Sequence, residues 1–134
     1  MEIQESGEMY LETILLLTRR NGSVRSVEVA NELGYSKPSV SRAMNILREG
    51  GFITVKKPGF IFLTPTGQAK AAEIHGRHQL ITAFLTVTLG VNKTLAERDA
   101  CRMEHIISEE TVSAMKSYIL ANHSDLASEI DIDF

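Results

Sequence analysis

Apolar residues recur at helical spacing in several blocks separated by glycine-bearing turns, and this pattern sets out most of the architecture. From Glu8 to Arg20, the residues Met9, Leu11, Ile14, Leu15 and Leu17 stand at mixed spacings of three and four, with Ser6 as a candidate N-cap and Asn21-Gly22 as a stop. A shorter helix is expected from about Val27 to Leu33, where Val27, Val29, Ala30 and Leu33 are apolar and Gly34 ends the run. Gly34-Tyr35 forms the turn. Ser36 then caps a third helix with Pro38 in its first turn, where a missing N–H costs little, and Val40, Ala43, Met44 and Leu47 repeat until Gly50-Gly51. Two helices joined by a short turn make a helix-turn-helix.

The period then changes. Phe52-Ile53-Thr54-Val55 and Phe60-Ile61-Phe62-Leu63 are β-prone runs around Lys56-Lys57-Pro58-Gly59, which predicts a hairpin wing with basic residues at its tip. Thr64-Pro65-Thr66-Gly67 reads as the cap and first turn of a long fourth helix reaching Leu80 to Leu89, although Gly76 weakens its middle. Asn92 or Thr94 caps a further helix through Ile107, and Ser108-Glu109-Glu110 opens another to about Leu120. The acidic tail SDLASEIDIDF carries weak signals. The expected fold is mainly α: a winged helix-turn-helix domain over residues 1–72, followed by a helical domain over residues 73–134.

Composition narrows the class. With 134 residues, 43% apolar and 23% charged, the chain is an ordinary globular protein and not a disordered one. Its longest apolar stretches, Leu11 to Leu17 and Leu80 to Leu89, are too short to span a bilayer, and no basic region precedes an apolar one at the N-terminus. A cytoplasmic location with no membrane partner is expected. The lone cysteine, Cys101, has no partner for an internal disulfide and is expected as a thiol. The net charge of −3 argues against a nucleic-acid partner until the charge is located. Residues 19–57 hold eight basic and three acidic side chains, a local excess of +5, and the rest of the chain is at −8.

That basic segment contains the helix-turn-helix and the wing. In such motifs the second helix enters the major groove and presents its N-terminal residues to base edges. Here these are Ser36, Lys37, Pro38, Ser39, Ser41 and Arg42. Serine hydroxyls donate to or accept from bases and phosphates, and Arg42 suits a guanine edge or a phosphate; Lys37 and Arg25 suit phosphates, while Lys56 and Lys57 at the wing tip suit the neighbouring backbone or minor groove. The bland alternative is a helix start and solvated lysines. Cap, turn, basic hairpin and local charge agree on double-stranded DNA.

A second chemistry lies in Ala100-Cys101-Arg102-Met103-Glu104-His105. Cys101, Glu104 and His105 stand at i, i+3 and i+4, so one helical face would gather a thiolate, a carboxylate and an imidazole, a plausible transition-metal set. Met9 and Glu12 share a face of the first helix, and His75 and His78 repeat the spacing on the fourth. Each has an ordinary reading too: Met9 as core, Glu12 as solvated, the histidines as surface or hydrogen-bonded residues.

Taken together, residues 5–120 resemble the iron- and manganese-dependent repressor family, of the diphtheria toxin repressor and manganese transport regulator type. The matching parts are Glu8-Met9-Tyr10-Leu11, Leu63-Thr64-Pro65-Thr66-Gly67, Arg77-His78 and Ala100-Cys101-Arg102-Met103-Glu104-His105. The resemblance implies an activating metal site from Met9, Cys101, Glu104 and His105, as in the iron branch, with His78 in an ancillary site; the manganese branch implies Glu12, His78, Cys101, Glu104 and His105 instead. This chain mixes the two patterns. Thr82 and Glu97 stand where the ancillary site of the iron branch has a carboxylate and a histidine; Glu97 keeps a donor and Thr82 does not supply a carboxylate. The resemblance also implies the short form without an SH3-like third domain, a homodimer, operator DNA of metal-uptake genes, and Fe(II) or Mn(II) as activator, with Co(II), Ni(II) or Zn(II) as substitutes in vitro. The soft donors Met9 and Cys101 lean toward Fe(II). Phe84, Leu85, Val87, Leu89, Val112, Met115, Tyr118, Ile119 and Leu120 suit a dimer face, or equally the domain's own core.

Two other readings compete. A winged-helix regulator could respond instead to a small organic ligand or to oxidation of Cys101, although Glu104 beside the thiol disfavours a reactive thiolate. An enzyme using Cys101 and His105 as nucleophile and base lacks an oxyanion loop, a phosphate loop and a third orienting group, so no enzymatic activity is expected.

Overall fold

A computed structural model describes residues 5–130. Among the described residues seven helices and one hairpin follow in the order α1 (Glu5–Asn21), α2 (Ser26–Leu33), α3 (Lys37–Glu49), β1 (Ile53–Lys56), β2 (Phe60–Leu63), α4 (Pro65–Leu89), α5 (Lys93–Met103), α6 (Glu109–Asn122) and α7 (Ser124–Ala127). The chain divides into two compact units between Ala71 and Ala72. Among the described residues no helix is long and apolar enough to cross a membrane.

In the first unit the apolar stripes of three helices and the base of the hairpin close one core. Leu11, Ile14 and Leu15 of α1, Val40, Met44 and Leu47 of α3, and Ile53 and Ile61 of the strands are buried together. Each such side chain removed from water contributes about 1.5–3 kcal/mol. Gly34 adopts φ +70° and closes α2, a left-handed cap that costs a side chain more than it costs glycine. Ser36 caps α3 as expected, its hydroxyl accepting from the Ser39 N–H at 3.3 Å, with Pro38 in the first turn. Ser6 is not a cap: α1 already includes Glu5, so Ser6 lies inside the helix.

The hairpin is antiparallel, with Ile53 opposite Leu63 and Lys56 opposite Phe60. A bridge from Arg25 to Phe60 and a bond from the Ile61 N–H to the Val24 carbonyl (2.8 Å) tie the α1–α2 connection to β2. At the start of α4 the Thr64 hydroxyl accepts from the Gly67 N–H, and the Thr64 N–H donates to the Phe52 carbonyl. Gly67 has to be glycine, since a Cβ there would run into that same carbonyl oxygen. Gly76 does not interrupt α4, which continues to Leu89.

The second unit holds its own core, built on Leu80 and Ile81 of α4, Ala100 of α5, and Val112, Met115 and Ile119 of α6. Phe84, Leu85 and Val87 pack against it, whereas Leu89, Tyr118 and Leu120 remain exposed. Asn92 caps α5 and Ser108 caps α6, each accepting from the backbone N–H three residues on. The expected helix through Ile107 ends four residues early, at Met103. The four residues Asp131, Ile132, Asp133 and Phe134 of the acidic tail lie outside the described residues.

Candidate metal centre and DNA-reading surface

α3 carries its polar residues outward. Ser36, Lys37, Pro38, Ser41 and Arg42 are exposed and Ser39 is half-buried. The Ser36 hydroxyl donates to the Ser39 hydroxyl at 2.9 Å, and Arg42 donates to the same Ser39 oxygen at 3.4 Å, so these three side chains bond to one another on the exposed face. At the hairpin tip Lys56 lies over the Phe62 ring, 5.2 Å from its centre, and Lys57 is exposed. Arg25, also exposed, braces that tip by donating from its guanidinium to the Pro58 carbonyl at 2.9 Å and covering the Phe60 ring. Ile46, 54% exposed on α3 one turn after Arg42, is not found by sequence reasoning, because an isoleucine at helical spacing reads as core.

In the second unit, α4 presents His78 to the turn that follows α5. Glu104 sits at the end of α5 with its N–H bonded to the Ala100 carbonyl, and its side chain has no exposed surface. One carboxylate oxygen lies 2.9 Å from His78 Nδ1, and the other lies 3.2 Å from His105 Nε2. His105 is nearly as enclosed, with 3% of its side chain exposed. A carboxylate enclosed with two imidazoles sets two borderline nitrogen donors beside a hard oxygen, a set that suits first-row divalent metals.

The remaining expected ligands are placed differently. Cys101 is exposed on α5, which ends at Met103; Glu104 follows as the helix cap with right-handed helical backbone angles, and His105 lies in the turn after it. Glu97 is exposed and lines an open cavity of about 410 Å³ with His75, His78 and Thr82. His75 and His78 stack there, 6.4 Å between ring centres. The Thr82 hydroxyl donates to the His78 carbonyl at 2.8 Å, which occupies the side chain as a helix back-bond. In the first unit Glu12 is buried on α1, and half-buried Met9 accepts through sulfur from the Tyr35 hydroxyl at 3.9 Å. Beside them burial, then Tyr35, pushes the Tyr10 phenol above its usual range, with Arg42 opposing.

A winged helix-turn-helix with a polar, cationic reading face, followed by a helical unit that encloses a carboxylate and two imidazoles, defines a winged-helix transcription regulator with a metal-binding domain. The chain belongs to the iron-dependent repressor family: the N-terminal DNA binding domain matches residues 2–59, and the metal binding and dimerisation domain matches residues 64–125. It is 40% identical over 109 residues to the transcriptional regulator MntR of Salmonella typhimurium, covering 81% of this chain and 69% of that one. Against the diphtheria toxin repressor of Corynebacterium diphtheriae the identity is 29%, over 81% of this chain and 48% of the other. The solved structure of the manganese regulator SloR superposes with a TM-score of 0.74 at 25% identity, over 89% of this chain and 54% of that chain. The chain thus spans about half the length of the latter two. Members of this family are manganese- or iron-dependent transcriptional repressors and not enzymes.

Proposed function

We propose that this protein is a metal-dependent repressor that binds double-stranded operator DNA as a homodimer when Fe(II) or Mn(II) is bound, and so controls metal-homeostasis genes in the cytoplasm. The observation that carries this reading is Glu104, fully buried with its two oxygens at 2.9 and 3.2 Å from His78 and His105. A carboxylate without solvent costs several kcal/mol to desolvate and is retained where its charge has a use. His78, Glu104 and His105 are the ligands contributed by the helical unit, and Met9, Glu12, Glu97 and Cys101 are the further donors that family resemblance supplies. Bound metal supplies a fixed coordination geometry and two positive charges.

The chain's own residues do the rest. Ser36, Lys37, Pro38, Ser39, Ser41 and Arg42 meet the major groove, and Arg25, Lys56 and Lys57 meet the backbone beside it. Exposed Leu89, Tyr118 and Leu120 are apolar surface suited to a second copy. Metal raises DNA affinity by its differential affinity for the competent arrangement, for which a coupling of about 1–3 kcal/mol is typical. Co(II), Ni(II) and Zn(II) substitute in vitro, since nitrogen and oxygen donors bind late metals tightly. The alternative, a regulator that responds to a small organic ligand or to oxidation of Cys101, is not favoured by the match to metal-dependent repressors.

The test is fluorescence anisotropy of promoter DNA titrated with protein in chelator, then with Fe(II) or Mn(II) added anaerobically. A metal-dependent gain abolished by His105→Ala supports the switch. Equal binding with and without metal leaves a winged-helix DNA binder and sinks it.

A further inference from the structure

The residue just before His78 reaches the same turn from the other side. The Arg77 side chain is only 12% exposed, and it donates through one terminal nitrogen to the Glu104 backbone carbonyl at 3.4 Å. Its second terminal nitrogen lies 3.2 Å from Glu73, one turn back on α4, and 3.9 Å from Glu109 in the first turn of α6. The carbonyls at a helix end lack intrahelical partners, and a cation there meets the negative end of the helix dipole. In the turn after α5 the Ala100 carbonyl takes the Glu104 N–H, and the Met103 carbonyl takes the N–H groups of Ile106 and Ile107. Arg77 takes the next carbonyl in line.

We infer that Arg77 is a positioning residue for metal binding: it holds the Glu104 turn against α4, so that the Glu104 carboxylate meets His78 before any metal arrives. The inference rests on the proposed metal site. The contacts form a closed circuit. His78 and Arg77 are adjacent in α4; His78 contacts the Glu104 side chain, and Arg77 holds the Glu104 main chain. With both ends fixed, the carboxylate is ordered in advance, and less ordering is left to accompany coordination.

Electrostatics alone predicts the opposite sign. Removing a cation and leaving Glu73 and Glu109 would favour binding of a divalent ion. The two effects therefore separate cleanly. Arg77→Met is expected to weaken Mn(II) binding about 10- to 100-fold, the usual effect of losing a group that orients a ligand. Arg77→Lys keeps the charge but not the planar fork that spans two acceptors, so it is expected to recover only part of the loss.

The experiment measures free Mn(II) by electron paramagnetic resonance during titration of the full chain and both variants, with the Co(II) visible spectrum as a report on ligand geometry. Weaker Mn(II) binding with an altered Co(II) spectrum in Arg77→Met, and a partial recovery in Arg77→Lys, support the assignment. Unchanged or tighter binding with an unaltered spectrum overturns it and leaves Arg77 as a structural brace. If Arg77→Met does not fold, Arg77→Lys decides: wild-type affinity overturns positioning by the fork. A wild-type chain that takes up neither ion overturns the metal reading itself, independently of either variant.

Discussion

Replacing Glu104 with glutamine keeps the side-chain shape and removes its charge, which separates the fold from the metal response. In the metal-free protein the carboxylate has two contacts with imidazoles, at 2.9 and 3.2 Å. The His78 contact is a hydrogen bond to a charged group, worth about 1.5–3 kcal/mol, and the His105 ring adds a weaker electrostatic contact. Against that stands the burial of a carboxylate with no exposed surface, an effective penalty of several kcal/mol. The two nearly cancel, so the metal-free stability of Glu104→Gln should differ from wild type by about 1 kcal/mol or less. The metal response should not survive. At Mn(II) 100-fold above its dissociation constant, wild type gains about 2.7 kcal/mol. For a chain of this size each kcal/mol moves the midpoint by roughly 3–5 °C, which makes a shift of about 10 °C. Thermal melts in chelator and in Mn(II), followed by circular dichroism, measure both quantities. A Glu104→Gln protein that still rises by the wild-type amount would refute the assignment of this carboxylate as a ligand.

Gly67→Ala sets helix propensity, a gain of about 1 kcal/mol, against a Cβ driven into the Phe52 carbonyl; overpacking costs about 1–3 kcal/mol, and with the lost Thr64–Phe52 bond the variant should unfold at lower urea. Because burial raises the Tyr10 phenol, the folded state keeps a proton that the unfolded state releases above about pH 10. That stability is fully present below pH 10 and is lost as pH rises through the folded value, so Tyr10→Phe should flatten the fall in urea midpoint on the alkaline side. Arg42→Ala should cost about 1–3 kcal/mol on the preferred site and relax selectivity there, whereas Lys57→Ala should weaken all sequences alike and lower the salt slope by about one; anisotropy titrations at several salt concentrations distinguish them.

The winged helix-turn-helix was legible because each of its boundaries has its own local chemistry. Ser36 with Pro38, Gly34, and the change from helical to alternating apolar period at Phe52 act over three or four residues, and all of them hold in the structure. Asn92 and Ser108 were legible as caps for the same reason. The end of α5 was not. No glycine or proline follows Met103, and the run Cys101 to Ile107 keeps a helical spacing that tertiary packing overrides. Arg77 entered the sequence reading only within the Arg77-His78 match and without a role, since the turn it reaches is 27 residues away in sequence.

Where α5 stops also bears on why the enclosed carboxylate is there at all. Glu104 occupies the C-terminal cap of α5, the negative end of the helix dipole, and it has no exposed surface. Position and burial both disfavour a carboxylate, the first by about 0.3–1 kcal/mol and the second by more. A residue chosen for packing would be apolar at this place, as Ala100 is one turn earlier. The surroundings instead offset the charge from several directions, with His78 and His105 on the two carboxylate oxygens and Arg77 on the main-chain oxygen. Local rules are broken where function requires it, and here the compensation is arranged around two nitrogen donors that a divalent cation can share with the carboxylate. On the proposed function, the two imidazoles that stabilise Glu104 are also its partners in binding a divalent cation.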